Sequence, residues 1–343
     1  MPFRVAVLKE TRADERRRAM VPAVGPQLEK LGAEIVYDAG PGEAAGADVV
    51  LGVQPPTLEV ARALKPGAVL VSFLYAEQSP ELVTTLKERG VIALAMERVP
   101  RISRAQAMDA LSSQAALAGY YAAVLGATRL ERVLPRMTTA AGVIRPATAL
   151  VMGLGVAGLQ AIATLRRLGA VIEAYDVRPE TKEEAESLGA KFVSTGVDAR
   201  GAGGYARELT AEERAKIAAV VTSHIQSADL VITAASVPGR KAPVLITAEQ
   251  VAGMKAGAVI VDLGAESGGN CALSRPGETV RAQGKGGEVA IEAPLNLTSR
   301  LAEPASELYA KNVANLLKLV IADGAVKLDW TDEILSGAAV LKG

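Results

Sequence analysis

Short apolar runs of strand length alternate with stretches of helical period along the chain. "RVAVLKE" is followed by an amphipathic stretch over 22–32 and then by "AEIVYDAG". "ADVVLGV", "AVLVSFLY" and "VIALAME" come next, with helical period over 57–64 and 80–89 between them. This alternation, rich in Val and Ile, predicts a parallel sheet covered by helices on both faces. An alanine-rich helix is expected from about 104 to 125, then a loop, "RLERVLPRMTTAAGVIRP". A second alternating set follows, with "ATALVMG", "AVIEAYD", "ADLVITAAS", "AVIVDLG" and "EVAIEA" as its strands. A last helix around 306–320 lies beyond this set and is expected to pack back on the first. The stretch 196–214, "GVDARGAGGYARELTAEER", breaks the pattern, and its aromatic Tyr205 among glycines suits a lid over a flat ligand.

Composition narrows the class. The chain has 343 residues with 38 basic and 38 acidic side chains, so no net charge draws it to nucleic acid or anionic lipid. Its single cysteine, Cys271, excludes an internal disulfide framework and a cysteine-based zinc site; no metal is expected. "MPFRVAVLKETR" runs straight into a strand pattern without signal-peptide architecture, and no apolar run reaches the ~20 residues of a membrane span. A cytoplasmic α/β protein is expected.

The strongest chemical signal is "ALVMGLGVAGLQAIATLRRLGAVIEAYDVR", in which Gly153, Gly155 and Gly158 have G-x-G-x-x-G spacing. The motif follows an apolar strand and opens a helix, the context that gives it meaning. Gly153 permits the tight turn, Gly155 lets backbone approach a pyrophosphate, and Gly158 lets helix and strand pack closely. The pyrophosphate is expected on the positive end of the helix. Asp176, 18 residues after Gly158, stands where an acid hydrogen-bonds the adenosine ribose. A carboxylate there repels a 2′-phosphate, which favours NAD(H) over NADP(H), although Arg178 is close enough in sequence to pair with such a phosphate. The expected architecture is α/β, two Rossmann-like parallel-sheet domains joined by long helices. Residues 1–124 with 303–343 form the first and 125–302 the NAD(H)-binding second, with a nucleotide-binding cleft between them.

A dehydrogenase usually pairs hydride transfer with proton transfer and needs an acid or base. The only histidine, His224, sits at the end of a helical stretch and reads as a helix-end residue. Glu266, in "DLGAESGGN", reads either as an acid or base or as a capping carboxylate. What the chain does carry is "RISRAQAMDALSSQ", with Arg101, Gln106, Asp109 and Ser112 along one small-residue stretch. On a helix the last three share a face; the bland alternative is a solvated helix start capped by Ser103. Hydride passed from one nicotinamide ring to another needs positioning and no acid or base, which fits this inventory.

Several stretches resemble the NAD(H)-binding component, domain I, of proton-translocating nicotinamide nucleotide transhydrogenase. They are "VPRISRAQAMDALSSQAALAGY", "MTTAAGVIRPATALVMGLGVAGLQAIATLRRLGA", "DLGAESGGNCALS" and "VKLDWTDEILSG", and the likeness covers nearly the whole chain. The resemblance implies that residues 101–112 position the nicotinamide ring. Gln106 would bridge to the NADP(H) ribose on a partner domain, Asp109 and Ser112 would bind the carboxamide, and Arg101 would hold its orientation. It implies that Val156, Ala157 and Asp176, Val177 and Arg178 line the adenine and ribose side. Gly204 and Tyr205 would belong to a closing loop, and Thr233, Ala234, Ala235 and Ser236 would approach the nicotinamide half. The implied partners are an NADP(H)-binding subunit and a membrane-spanning subunit that translocates protons. The implied state is a homodimer held peripherally on the inner face of the membrane.

After "YDAG" the chain passes at once through "PGEAAGADVVLGV", where the family usually has a longer insertion. Alanine dehydrogenases are similar too, with a substrate lysine near "LGVQPP", a histidine near "SFLYAEQ" and an aspartate after "VDL". Here those places hold Gly52 or Gln54, Tyr75 and Glu266. Amino-acid oxidation and a non-catalytic NAD(H) sensor stand as the alternative readings.

Overall fold

In the computed structural model, residues 3–197, 210–236 and 241–343 are described; Gly204 and Tyr205 lie outside them. The chain divides into two compact units, residues 1–114 with 298–343 and residues 115–297. These junctions precede the expected 124 and 302 for a local reason. Gln114 is tied within the first unit by Arg17 Nη1, 2.9 Å from its Oε1, and by its own Nε2 to the Ala305 carbonyl at 3.1 Å.

The first unit begins with β1 (Phe3–Leu8), α1 (Pro26–Glu29), β2 (Ala33–Ala39), α2 (Pro41–Ala45) and β3 (Val49–Leu51). It continues through α3 (Leu58–Ala63), β4 (Val69–Ser72), α4 (Pro80–Glu88) and β5 (Ile92–Ala95). Helix α1 is one turn only, shorter than the expected 22–32; Gly25 precedes it and Gly32, at φ +92°, closes the turn that ends it. β3 and β4 are buried at every position, as strands covered on both faces must be. Met96–Arg98 and Ser103–Met108 are 3-10 turns, and α5 runs from Ala110 to Arg129.

The second unit carries the hairpin β6 (Met137–Thr139) and β7 (Gly142–Ile144), inside the stretch expected to be a loop. Then come β8 (Thr148–Met152), α6 (Val156–Arg167), β9 (Val171–Tyr175), α7 (Thr181–Ser187) and β10 (Lys191–Phe192). They are followed by α8 (Ala211–Ser227), β11 (Leu230–Thr233), α9 (Ala248–Ala252), β12 (Val259–Asp262), β13 (Thr279–Gly284) and β14 (Gly287–Glu292). The seven-stranded sheet has the order β10-β9-β8-β11-β12-β14-β13, parallel except for β13. Its strand order reverses between β8 and β11, the switch point beside which doubly wound sheets bind ligands.

The chain then returns to the first unit as α10 (Ala302–Val320), the small pair β15 (Ile321–Ala322) and β16 (Ala325–Val326), α11 (Glu333–Ala338) and β17 (Ala339–Lys342). β17 adds antiparallel to β5, completing the six-stranded order β17-β5-β4-β3-β1-β2. The apolar face of α10 (Tyr309, Val313, Leu316, Leu317, Val320) is buried in the core with Val5, Val49 and Val71. The fully buried Tyr309 satisfies its hydroxyl on the Gly52 carbonyl at 2.9 Å.

Candidate functional site

The glycine loop follows β8 at the switch point. Gly153 sits at φ +94°, and a Cβ there would stand 2.7 Å from the Ala235 nitrogen after β11. A Cβ on Gly158 would fall 1.9 Å from the Gly153 carbonyl oxygen, so the helix comes as close as a side chain would forbid. Gly155 is different: nothing lies within 4 Å of the place its Cβ would occupy. It is the N-cap of α6, whose first turn has no side-chain cap. An open approach to uncapped N–H groups at a twelve-residue helix is what a pyrophosphate needs. Val156 and Val177 are exposed, and Ala157 is half-buried.

Asp176 follows β9, and its carboxylate is well supplied. Oδ2 accepts from the Leu154 N–H at 2.7 Å, inside the glycine loop, and Oδ1 from the Arg178 N–H at 2.8 Å. The Arg178 guanidinium adds Nε to Oδ1 and Nη2 to Oδ2, each 3.0 Å. Burial pushes the acid up, but Arg178 and the two N–H groups outweigh it and hold the carboxyl below its ordinary value. These bonds fix the acid against the glycine loop, the placement a ribose hydroxyl requires.

Past β11, Thr233 is buried and its hydroxyl donates to Asp262 Oδ1 at 3.0 Å, so it braces the strand end with its side chain turned from solvent. Ala234 and Ala235 are half-buried and Ser236 is exposed. Asp262 itself escaped the sequence reading, which singled out Glu266. It is fully buried and accepts from Gly264, Asn270 and Cys271 N–H groups and from Ser274 Oγ, organising the 262–274 loop. The signal was an aspartate ending an apolar strand before a glycine-rich turn. Glu266 is exposed and accepts from the Asn296 N–H, so its capping reading holds. His224, in the last turn of α8, stands 2.6 Å from Glu173 through Nδ1, a helix-end pairing.

The 101–112 stretch departs from the expected single helix. After the 3-10 turn, Asp109 leaves helical space at ψ 87° and caps α5: its Oδ1 accepts from Ser112 N at 2.9 Å and its Oδ2 from Ser112 Oγ at 2.6 Å. Gln106, Asp109 and Ser112 therefore do not share a continuous helical face. The capping role falls to Asp109; Ser103 makes no capping bond. Arg101 and Gln106 are exposed, Asp109 and Ser112 half-buried.

At the first unit's strand ends lies a buried polar network that the charge-rich "KETRADERRR" did not reveal. Glu15 takes Arg17 Nε at 2.8 Å and Nη2 at 2.6 Å, and Gln54 Nε2 donates to Glu15 Oε2 at 2.7 Å. Gln54 also accepts from Arg12, and Glu10 accepts from the Val53 N–H at 2.6 Å. Tyr75, at φ +43°, donates its N–H to Glu97. Where an alanine dehydrogenase is expected to hold a keto acid with lysine and histidine, this chain places Gln54, bonded within its own network, and Tyr75.

The family profile described as alanine dehydrogenase/PNT, C-terminal domain, matches residues 122–343, and that of the N-terminal domain matches residues 43–118. The chain belongs to the alanine dehydrogenase/PNT family. Within it, the chain is 45% identical over 375 aligned positions to an NAD(P) transhydrogenase subunit alpha of Rhodospirillum rubrum, covering 99% of this chain and 96% of that one. A solved transhydrogenase structure from Sinorhizobium meliloti superposes with a TM-score of 0.89 at 39% identity, covering 99% of each chain. Alanine dehydrogenase of Mycobacterium tuberculosis is 31% identical and covers 80% of this chain and 76% of its own length. The chain is an oxidoreductase of the NAD(P) transhydrogenase alpha type, in a family of NAD(H)-binding dehydrogenase domains. No described helix is long and apolar enough to cross a membrane.

Proposed function

We propose that this chain binds NAD(H) and exchanges hydride directly with NADP(H) held by a partner subunit. A membrane-spanning subunit would couple the exchange to proton translocation, and the chain would work as a homodimer at the membrane's inner face. The glycine loop and the α6 N-terminus take the pyrophosphate, and Asp176 takes the adenosine ribose. Asp109 and Ser112 offer an acceptor and a hydroxyl to the carboxamide, with Arg101 beside them, while Gln106 faces the second nucleotide. The observation that carries the reading is the pairing of Asp109 with Ser112 at the head of α5, two residues past the 3-10 turn that exposes Gln106. Such a set orients a ring without moving a proton, and carbon-to-carbon hydride transfer asks for nothing more.

The test is absorbance-followed hydride transfer from NADH to thio-NADP⁺, with this chain alone, with an NADP(H)-binding partner added, and with alanine plus NAD⁺. Transfer only in the presence of the partner is expected. NADH formed from alanine would instead establish amino-acid oxidation, and NADH binding without either reaction would favour a sensor.

A further inference from the structure

The segment that carries Gln106 and Asp109 has an irregular backbone, and such a stretch must find partners for its carbonyls outside itself. Ser103–Met108 is a 3-10 turn, and the chain leaves it at Asp109 before α5 starts. A helical turn that ends in this way strands its last carbonyls. The Ala107 carbonyl is claimed by α10: Asn312 Nδ2 donates to it at 2.9 Å and Asn315 Nδ2 at 3.2 Å. Three residues apart, the two asparagines stand on one face of the helix.

Asn312 does more than fill that bond. It is only 7% exposed, in a helix whose other buried residues are mostly apolar, and asparagine is a poor helix former. Its Oδ1 accepts from Ser113 Oγ at 2.7 Å. One buried amide thus joins the carbonyl two residues before Asp109 to the hydroxyl one residue after Ser112. Asn315 is half-buried, and Lys318 donates to its Oδ1 at 2.8 Å, so it can only support the Ala107 side.

We propose that Asn312 is a positioning residue for hydride transfer, clasping Ala107 to Ser113 and so fixing the spacing at which Gln106, Asp109 and Ser112 meet the nicotinamide. The inference rests on the role proposed above for residues 101–112. Asn312 acts through the backbone of Ala107 and the side chain of Ser113. A small displacement of the loop is enough to matter, because misplacing a reacting ring by about 1 Å costs on the order of 100-fold in rate.

Asn312→Asp tests this, since the carboxylate still accepts from Ser113 but has no donor for Ala107 when ionised. With the NADP(H)-binding partner, NADH and thio-NADP⁺ at about pH 8, single-turnover transfer should fall at least about tenfold while the NADH dissociation constant stays within about twofold. Protonation restores an O–H donor, so the variant's rate, taken relative to wild type at each pH, should recover as pH is lowered to about 6. Asn312→Leu should be equally slow and show no recovery. In both variants amide exchange at Asp109 and Ser113 should quicken. Unchanged transfer in both variants, or matching losses of rate and affinity with no recovery in acid, would overturn the proposal. A wild-type chain that passes no hydride once the partner is present would remove the premise instead. That case is recognised because the exchange measurement still reports whether the clasp holds the loop.

Discussion

Arg178 folds back onto Asp176, with Nε and Nη2 each 3.0 Å from the carboxylate, so the acid that faces the ribose position holds its own arginine. A bidentate pair of this kind fixes both side chains. It keeps the carboxylate charged where a 2′-phosphate would have to sit, and it occupies the one nearby cation that could welcome that phosphate. Selectivity for NAD(H) then depends on the pair and not on the acid alone.

Asp176→Ala should therefore do two things at once. NADH binding should weaken about tenfold or more, equivalent to about 1.4 kcal/mol or more. Affinity for NADPH should rise, because Arg178 is released to meet its 2′-phosphate. Arg178→Ala should cost NADH only a few-fold, since the Leu154 N–H still holds the acid at 2.7 Å. Fluorescence titration with both nucleotides decides this, and an unchanged NADH constant in Asp176→Ala would take the residue out of the ribose site.

The three glycines of the loop should separate into structural and ligand-facing kinds. An alanine at 158 would drive its Cβ to 1.9 Å from the Gly153 oxygen, so Gly158→Ala should lower unfolding free energy by about 1–3 kcal/mol. Gly155 has an ordinary φ of −83° and open space at its Cβ. Gly155→Ala should leave urea unfolding unchanged to within about 0.5 kcal/mol and still weaken NADH binding about tenfold. Equal effects of the two substitutions on stability would refute the division.

Two carboxylates of the first unit should shape stability in opposite directions with pH. Burial opposes the charge of Glu15, yet the Arg17 pair wins and takes it to about 2. Its contribution is full above its ordinary value of 4.5 and is lost as pH falls toward 2. Burial pushes Glu10 up to about 7, so the folded chain keeps a proton that the unfolded chain releases near 4.5. Glu10 therefore favours the fold fully at the acid end of that window, and its contribution is lost as pH rises through 7. Each effect has a ceiling of about 3 kcal/mol. Glu10→Gln should flatten the decline between 4.5 and 7 and leave the acid limb in place. Denaturant series across that window, with the same slope in parent and variant, would rule out the assignment to Glu10.

Much of this was legible in the sequence, for reasons visible in particular elements. Strands such as β3, β4 and β12 are buried along their whole length, so their apolar runs stand out, and the glycine motif is confirmed by its place between β8 and α6. The antiparallel edges β13 and β17 were missed because each pairs with a strand on one side only and carries polar residues such as Arg281 and Lys342. The break at Asp109 was missed for another reason. Neither Gly nor Pro interrupts "ISRAQAMDALSSQ", and the stop is made by a side chain that caps the next helix. Asn312, in turn, means nothing until Ala107 is seen beside it.

Gln106 offers the sharpest separation of orientation from affinity. It stands exposed on the 3-10 turn, and its carbonyl accepts from the Asp109 N–H at 3.3 Å, so the backbone beneath it belongs to the same clamp. Gln106→Asn keeps the amide but withdraws it by one methylene, about 1.5 Å. The cap between Asp109 and Ser112 does not use the Gln106 side chain and should survive. NADH affinity should then stay within about twofold while hydride transfer to thio-NADP⁺ slows about 10- to 100-fold, the pattern of an interaction used only when the two rings meet. Parallel losses in binding and transfer would show instead that Gln106 holds NADH itself and does not reach toward the second nucleotide.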